Sequence, residues 1–170
     1  MEKLNKIFIL GGASFLGYNT IKEAVSRGYK VKTADIVELP ENLRFKEEDR
    51  VDFILENFFN LSDSKIIDLL SDCDSFVYAG GVDERIVPQK PARKFFYEKN
   101  VLPTQRIARL AKEAGVKNFV LFGSYTAEFA ENNKDLRDYG YQEDPYVETR
   151  LLQEKLAMYQ GGGGYECISS

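Results

Sequence analysis

Apolar positions along the chain gather in short runs, separated by stretches with helical spacing. Ile7-Phe8-Ile9-Leu10 is a continuous apolar run closed by Gly11-Gly12, the pattern of a strand buried on both faces of a parallel sheet. Further strand candidates are Lys30–Asp35, Val51–Leu55, Ser75–Tyr78, Phe119–Phe122 and a last one starting at Tyr165. Helical spacing fills the gaps. Phe15 to Arg27 reads as a first helix with Gly28 closing it, and Asp63 to Leu70 as a second with Ser62 as its cap. A long helix is expected from about Ala92 to Ala114, ended by Gly115. Pro103 should kink it, having no N–H for the carbonyl of Lys99. Tyr146 to Tyr159 reads as the last helix, with Pro145 just before it. Ile36 to Arg50, with Pro40 and the charge run from Lys46, reads as a solvated loop or helix end. Tyr125 to Asp144 shows no clear periodicity, and Gly161 to Gly164 reads as a flexible break.

Strands alternating with helices predict an α/β architecture with right-handed crossovers. The turn after the first strand narrows this. Gly11-Gly12-Ala13-Ser14-Phe15-Leu16-Gly17 nearly spells a G-x-x-G-x-x-G dinucleotide fingerprint, with Ser14 in the middle glycine place. Gly11 permits the sharp turn, the middle position lets backbone approach a pyrophosphate, and Gly17 lets helix pack closely on strand. The helix then aims its N–H groups and positive dipole end at the phosphates. An ordinary tight strand-to-helix turn is the plainer reading of the same residues. Asp35, at the end of the second strand, lies where a ribose-binding carboxylate is expected. It would bond the ribose hydroxyls and repel a 2′-phosphate, which favours NAD over NADP. A solvent-exposed strand-end Asp is the alternative. The sequence therefore predicts a Rossmann-type doubly wound parallel sheet, order 3-2-1-4-5-6, with helices on both faces. Ligands should bind at the carboxyl ends of strands one and four.

Composition removes several other chemistries. The 170 residues carry a net charge of −4, which disfavours nucleic acid and anionic membrane as partners. No apolar run is long enough to span a membrane, and the one near the N-terminus is too short for a signal peptide. The two cysteines, Cys73 and Cys167, suit a reducing cytoplasm. Histidine is absent, which excludes Ser-His-Asp and Cys-His arrangements and most zinc sites.

With these residues in order, the chain resembles the extended short-chain dehydrogenase/reductase family, the NAD-dependent epimerase/dehydratases. The resemblance rests on residues 11 to 17, Asp35, Asn60-Leu61-Ser62-Asp63, Tyr78-Ala79-Gly80-Gly81, Asn100-Val101, Ala114 to Val120, Gly123-Ser124, and Tyr146 to Leu152 with Glu154. It implies an oxidoreductase acting on a small hydroxyl or carbonyl substrate, often a nucleotide sugar. A non-catalytic NAD-binding sensor or regulatory module is the alternative. The implied cofactor contacts are Gly11, Ala13, Ser14, Phe15, Leu16, Gly17, Asp35, Asn60, Leu61, Ala79, Gly80, Gly81, Asn100, Tyr146 and Arg150. Asn60 stands where the family usually has an Asp touching the adenine amino group, and equally reads as a turn residue. Asn100 matches a position that supports the active site, or is a polar helix-face residue.

The implied catalytic set is Ser124, Tyr146 and a lysine four residues later, one helical turn along the same face. Here that place holds Arg150, giving Tyr-x-x-x-Arg. Arginine keeps the charge and can bond ribose hydroxyls, but it cannot lose a proton to a relay. The one true Tyr-x-x-x-Lys, Tyr18 to Lys22, lies on the first helix and reads as a surface pair. The resemblance further implies that residues 1–170 are the NAD-binding domain, with the family's substrate-binding half absent. It also implies a homodimer through helices 92–114 and 146–159.

Overall fold

In the computed structural model, described here for residues 5–39, 50–133 and 144–169, β1 (Lys6–Leu10) lies at the centre of the sheet. It pairs in parallel with β2 (Lys30–Asp35) on one side and β4 (Ser75–Tyr78) on the other. β3 (Val51–Leu55) flanks β2, while β5 (Asn118–Leu121) and β6 (Glu166–Ser169) extend the sheet beyond β4. The observed order is 3-2-1-4-5-6, all parallel, as the alternation of patterns requires.

Side chains alternate across the strands, so β1 feeds two separate cores. Phe8 and Leu10 join Phe76, Tyr78, Phe119 and Leu121 on one face. That face is covered by α2 (Asp63–Leu70) through Ile66 and Leu70, and by α4 (Leu102–Glu113) through Ile107 and Leu110. Phe8, Phe76 and Phe119 share one register across three strands and stack, with centroids 5.3 and 5.2 Å apart. Ile9 and Val77 point the other way, against Ile21 and Val25 of α1 (Phe15–Ser26). Helices thus cover both faces, and the loops leaving the strands' carboxyl ends are free to line a site.

Several elements differ from the sequence reading. The long helix is α3 (Ala92–Phe96), a π turn (Tyr97–Val101) and α4 in succession. The Leu102 N–H donates to the carbonyl of Tyr97, five residues back. This register change falls just before Pro103, where a proline within the first turn has no hydrogen bond to lose. The interruption therefore takes the form of a π turn. The stretch after β5, which showed no periodicity, begins with a helix, α5 (Tyr125–Asn132). Its buried positions are Ala127 and Ala130, and two alanines make too faint an apolar stripe to read from sequence. The glycine run is a turn rather than a break. Gly162 and Tyr165 exchange backbone hydrogen bonds of 2.9 and 3.3 Å, with positive φ at Gly162, Gly163 and Gly164. Tyr165 is buried just beyond it, its hydroxyl donating to the Ala108 carbonyl at 2.8 Å. The last helix is α6 (Pro145–Met158). Of the expected loops, residues 40–49 and 134–143 lie outside the described residues.

Candidate functional site

The turn after β1 is built by contacts that only glycine allows. Gly11 has φ +87°, and a Cβ there would stand 3.0 Å from the Ala79 carbonyl and the Gly80 nitrogen. A Cβ on Gly17 would meet the Gly11 oxygen at 2.0 Å. Turn, helix α1 and the end of β4 are therefore in direct backbone contact, as a dinucleotide cradle demands. Gly12 is equally constrained, because its Cβ would fall 2.1 Å from the Thr33 hydroxyl. Nothing in the sequence shows that requirement, since it comes from a side chain on β2. Ser14, in the middle glycine place, has an ordinary negative φ and caps α1. Its hydroxyl accepts from the Gly17 N–H at 3.1 Å and donates to the Gly11 carbonyl at 2.7 Å.

Asp35 reaches the same turn. One carboxylate oxygen accepts from the Ala13 N–H at 2.8 Å, the other from the Ile36 N–H at 2.7 Å. The acid thus pins the turn to the end of β2, and a carboxylate retains lone pairs for further donors.

Between the carboxyl ends of β1, β2 and β4 lies a cleft of about 390 Å³. It is lined by Gly11, Ser14, Asp35, Asn60, Ala79, Gly80 and Gly81 from the sequence-derived set. Sequence reasoning missed its other wall. Glu56, Asn57, Phe58 and Phe59 lead into the short 3-10 turn Phe58–Asn60, and Glu98, Lys99 and Pro103 face the cleft from the crossover helix. The Asn60 motif marked the first group by adjacency. The second depends on how the crossover packs, and no local pattern announces it.

Other expected contacts are placed differently. Phe15 and Leu16 are exposed at the start of α1, and Leu61 follows the 3-10 turn half-buried. Asn100 is fully buried. Its amide oxygen accepts from the Val82 N–H at 2.8 Å and its amide nitrogen donates to the Val82 carbonyl at 2.9 Å. Asn100 therefore shapes the loop after β4 and has both polar ends engaged.

Ser124, Tyr146 and Arg150 come together beside the cleft, outside its lining. Asp144 caps α6 by accepting from the Tyr146 and Val147 N–H groups at 2.8 and 3.2 Å. Tyr146 is buried, edge-on to Phe96 at 5.4 Å. Burial pushes its phenol above the ordinary range, and Glu84 adds to the rise, while Arg150 and Ser124 pull it down. The Ser124 hydroxyl also bonds Thr126 at 2.8 Å. Arg150 is 7% exposed, and its guanidinium carbon lies 6.0 Å from the Tyr146 ring centre. Its donors turn toward the protein. One Nη bonds the Phe122 and Gly123 carbonyls at 2.7 and 2.8 Å, the other bonds Gln153 at 2.6 Å. Gln153 in turn donates to Thr104 on α4 at 2.7 Å. Tyr18 and Lys22 lie on α1, away from this cluster.

A doubly wound parallel sheet with a glycine turn, a strand-end carboxylate and a cleft at the switch point defines a nucleotide-binding α/β domain. The NAD dependent epimerase/dehydratase family model matches residues 7–168, and the chain belongs to that family. It is 25% identical over 163 residues to the mouse (Mus musculus) decarboxylating sterol-4-alpha-carboxylate 3-dehydrogenase, covering 93% of this chain and 42% of that protein. It is 25% identical over 156 residues to a UDP-glucose 4-epimerase of Klebsiella pneumoniae, covering 85% of this chain and 99% of that sequence. Among solved structures it resembles MoeE5 in complex with UDP-glucuronic acid and NAD, at TM-score 0.72 and 20% identity, covering 97% of this chain and 52% of that one. The chain thus spans about two fifths of the sterol dehydrogenase's length, 42%.

Proposed function

We propose that this chain is the NAD-binding part of an epimerase, dehydratase or reductase acting on a hydroxyl or carbonyl group of a small substrate, a nucleotide sugar being the favoured class. The observation that carries the reading is the cleft at the β1/β4 switch point, where Gly11, Ser14, Asp35 and Ala79 to Gly81 converge. The turn fits a dinucleotide cradle, because glycine at 11 and 17 lets it pack directly on the end of β4 and on the start of α1, where a Cβ would meet backbone. Residues Gly11 to Gly17 would hold the pyrophosphate, Asp35 the adenosine ribose, Asn60 and Leu61 the adenine, and Ala79 to Gly81 the nicotinamide ribose. Bound NAD would supply a hydride acceptor. Tyr146 would hold or move the proton on the substrate oxygen, with Ser124 bonding the same oxygen. The buried phenol is protonated at neutral pH, so it can give its proton to a substrate carbonyl oxygen that receives hydride. Taking the proton of a hydroxyl that loses hydride would need the phenolate, which forms only at higher pH. The thiols of Cys73 and Cys167, free in the structure, support a cytoplasmic location.

Calorimetric titration with both cofactors tests this reading. NAD should bind at least tenfold more tightly than NADP, roughly the effect of making one charge-assisted hydrogen bond to the ribose and avoiding one repulsion of the 2′-phosphate. Asp35→Ala should narrow that gap. Equal or tighter NADP binding would remove Asp35 from the role. One observation favours the non-catalytic alternative, an NAD-binding module without turnover. Arg150 spends its Nη groups on backbone and Gln153. Absence of turnover on every hydroxyl and carbonyl substrate of a panel by the complete gene product, despite tight NAD binding, would decide for it.

We also infer a homodimer through the α3–α4 and α6 helices. Tyr97, Leu102, Leu152 and Met158 leave apolar surface exposed on these helices, which supports that reading. Light scattering should give twice the chain mass, and a clean monomer at high concentration would refute it.

A further inference from the structure

Gln153 is fully buried on α6, and both ends of its amide are engaged. Its Oε1 accepts from Arg150 Nη1 at 2.6 Å, and its Nε2 donates to the hydroxyl of Thr104, also fully buried, at 2.7 Å. A guanidinium carries only donors, so the amide has a single orientation, oxygen toward Arg150 and nitrogen toward Thr104. Thr104 stands on α4, so the amide is anchored to a second helix. The other Nη of Arg150 goes to the Phe122 and Gly123 carbonyls, at 2.7 and 2.8 Å. Along α6, Tyr146 lies four residues before Arg150 and Gln153 three after it, on the same face. Gln153 therefore draws the guanidinium away from the tyrosine, whose ring centre is 6.0 Å from the guanidinium carbon.

We propose that Gln153 is a positioning residue for the Tyr146 phenol, acting by holding the Arg150 guanidinium back along α6. The proposal rests on the reading of Tyr146 as the group that exchanges a proton with substrate. The groups facing the phenol are Arg150 on its own helix, Ser124 at the end of β5 and Glu84 in the loop after β4. Phe96 of α3 packs edge-on against the ring without charge. Arg150 is the largest influence opposing burial of the phenol, and it also acts on Glu154 of α6 and Tyr78 of β4. The pull of a charge falls with distance and is stronger where water is excluded. The place of the guanidinium therefore sets the pH at which the phenolate forms. Held back by Gln153, Arg150 leaves Tyr146 a proton donor to a carbonyl at neutral pH. Released toward the phenol, it would let Tyr146 take a hydroxyl proton at lower pH.

The test is the titration of Tyr146, followed by nuclear magnetic resonance of the chain labelled at the tyrosine Cζ, with Tyr146→Phe identifying the signal. Folding of each variant is checked by circular dichroism. Gln153→Met keeps the length of the side chain and removes the acceptor, so it should lower the midpoint by about one pH unit. Gln153→Glu keeps the grip and sets a negative charge against the guanidinium, so it should raise the midpoint by about one pH unit. In the Arg150→Gln background, Gln153→Met should move nothing further, because its effect passes through the guanidinium. Thr104→Val, which removes the anchor behind the amide, should lower the midpoint by about half a pH unit and serves if Gln153→Met does not fold. A midpoint unchanged or raised in whichever of these two variants folds would overturn the proposal and leave Gln153 a merely structural link. An equal fall in the Arg150→Gln background would overturn it as well. The titration needs neither substrate nor cofactor, so the proposal can fail while the acid/base reading stands. Tyr146→Phe turning over like the parent, in the complete gene product, would overturn that reading and the proposal with it.

Discussion

Arg150 is charged, buried and engaged by its neighbours, and these facts together set what Tyr146 can do. Its Nη groups hold the Phe122 and Gly123 carbonyls at the end of β5, just before Ser124. It also reaches Gln153, which ties α6 to α4 through Thr104. The charge still pulls on Tyr146, but burial is the larger effect, so the phenol sits above the ordinary value of 10.0. Its phenolate should therefore appear only above pH 10, read as the ultraviolet difference between the parent and Tyr146→Phe. Replacing Arg150 with Gln should move that step higher still. Arg150→Lys keeps the charge and loses the fork. It should destabilise the chain by about 2 kcal/mol, from buried acceptors left unpaired, measured by urea unfolding. An unchanged midpoint would mean that the brace carries no weight.

At the scale of elements, α1, α2 and α6 each start on a side chain that answers orphan N–H groups, whereas α3 and α5 have no such cap. Ser14 does so for α1 and Ser62 for α2. Asp144 does so for α6, accepting from the N–H of Tyr146 itself. A carboxylate there also complements the helix dipole. Asp144→Ala should cost about 1 kcal/mol. The loss should be local, because the cap holds the turn that carries Tyr146. Amide exchange at Tyr146 and Val147 should speed up several-fold, with exchange at Gln153 and Ala157 little changed. Uniform acceleration along α6 would show that the cap serves the whole helix instead. The π turn at Tyr97–Val101 plays a comparable part for the crossover. It resets the helix where Asn100 bonds Val82 and where Lys99 meets the cleft.

For the molecule as a whole, buried thiols and phenols set the alkaline limit. Burial pushes Cys73 up to about 12 from 9.0, and Tyr78 up to about 12 from 10.0. Tyr165 and Tyr146 move the same way. Each folded-state value lies above the unfolded one, so the stability they support is complete below pH 9.0 and declines as pH rises toward 12. The acid side has the opposite sign. Hydrogen bonds from Arg106 and Arg109 lower Asp63, a bond from Arg85 lowers Asp83, and Lys6 with Lys32 lowers Asp72 against the cost of burial. Stability from these groups is present above 3.8 and lost as pH falls below it. Glu154, raised by burial, offsets part of that loss. The urea midpoint should be nearly flat from about pH 5 to 8 and fall on both sides, steeply above about pH 9. An alkaline fall starting below about pH 8 would contradict the burial of Cys73.

The sequence by itself determined the strands, their order, the glycine turn and the strand-end acid. These follow from signals that are short in range, such as the apolar runs of buried strands, the turn chemistry of Gly11 and Gly17, and the cap at Ser62. The alternation of elements then leaves one favoured way to wind the sheet. Only the tertiary structure decided where long polar side chains spend their donors. Arg150 carries the same charge whether it faces a ribose or the Phe122 carbonyl, and its direction is set by β5 and α4, which are distant in sequence. The same holds for Thr33 behind Gly12 and for the two alanines that seat α5. In each case the deciding partner arrives only when elements pack, so no local pattern could carry the information.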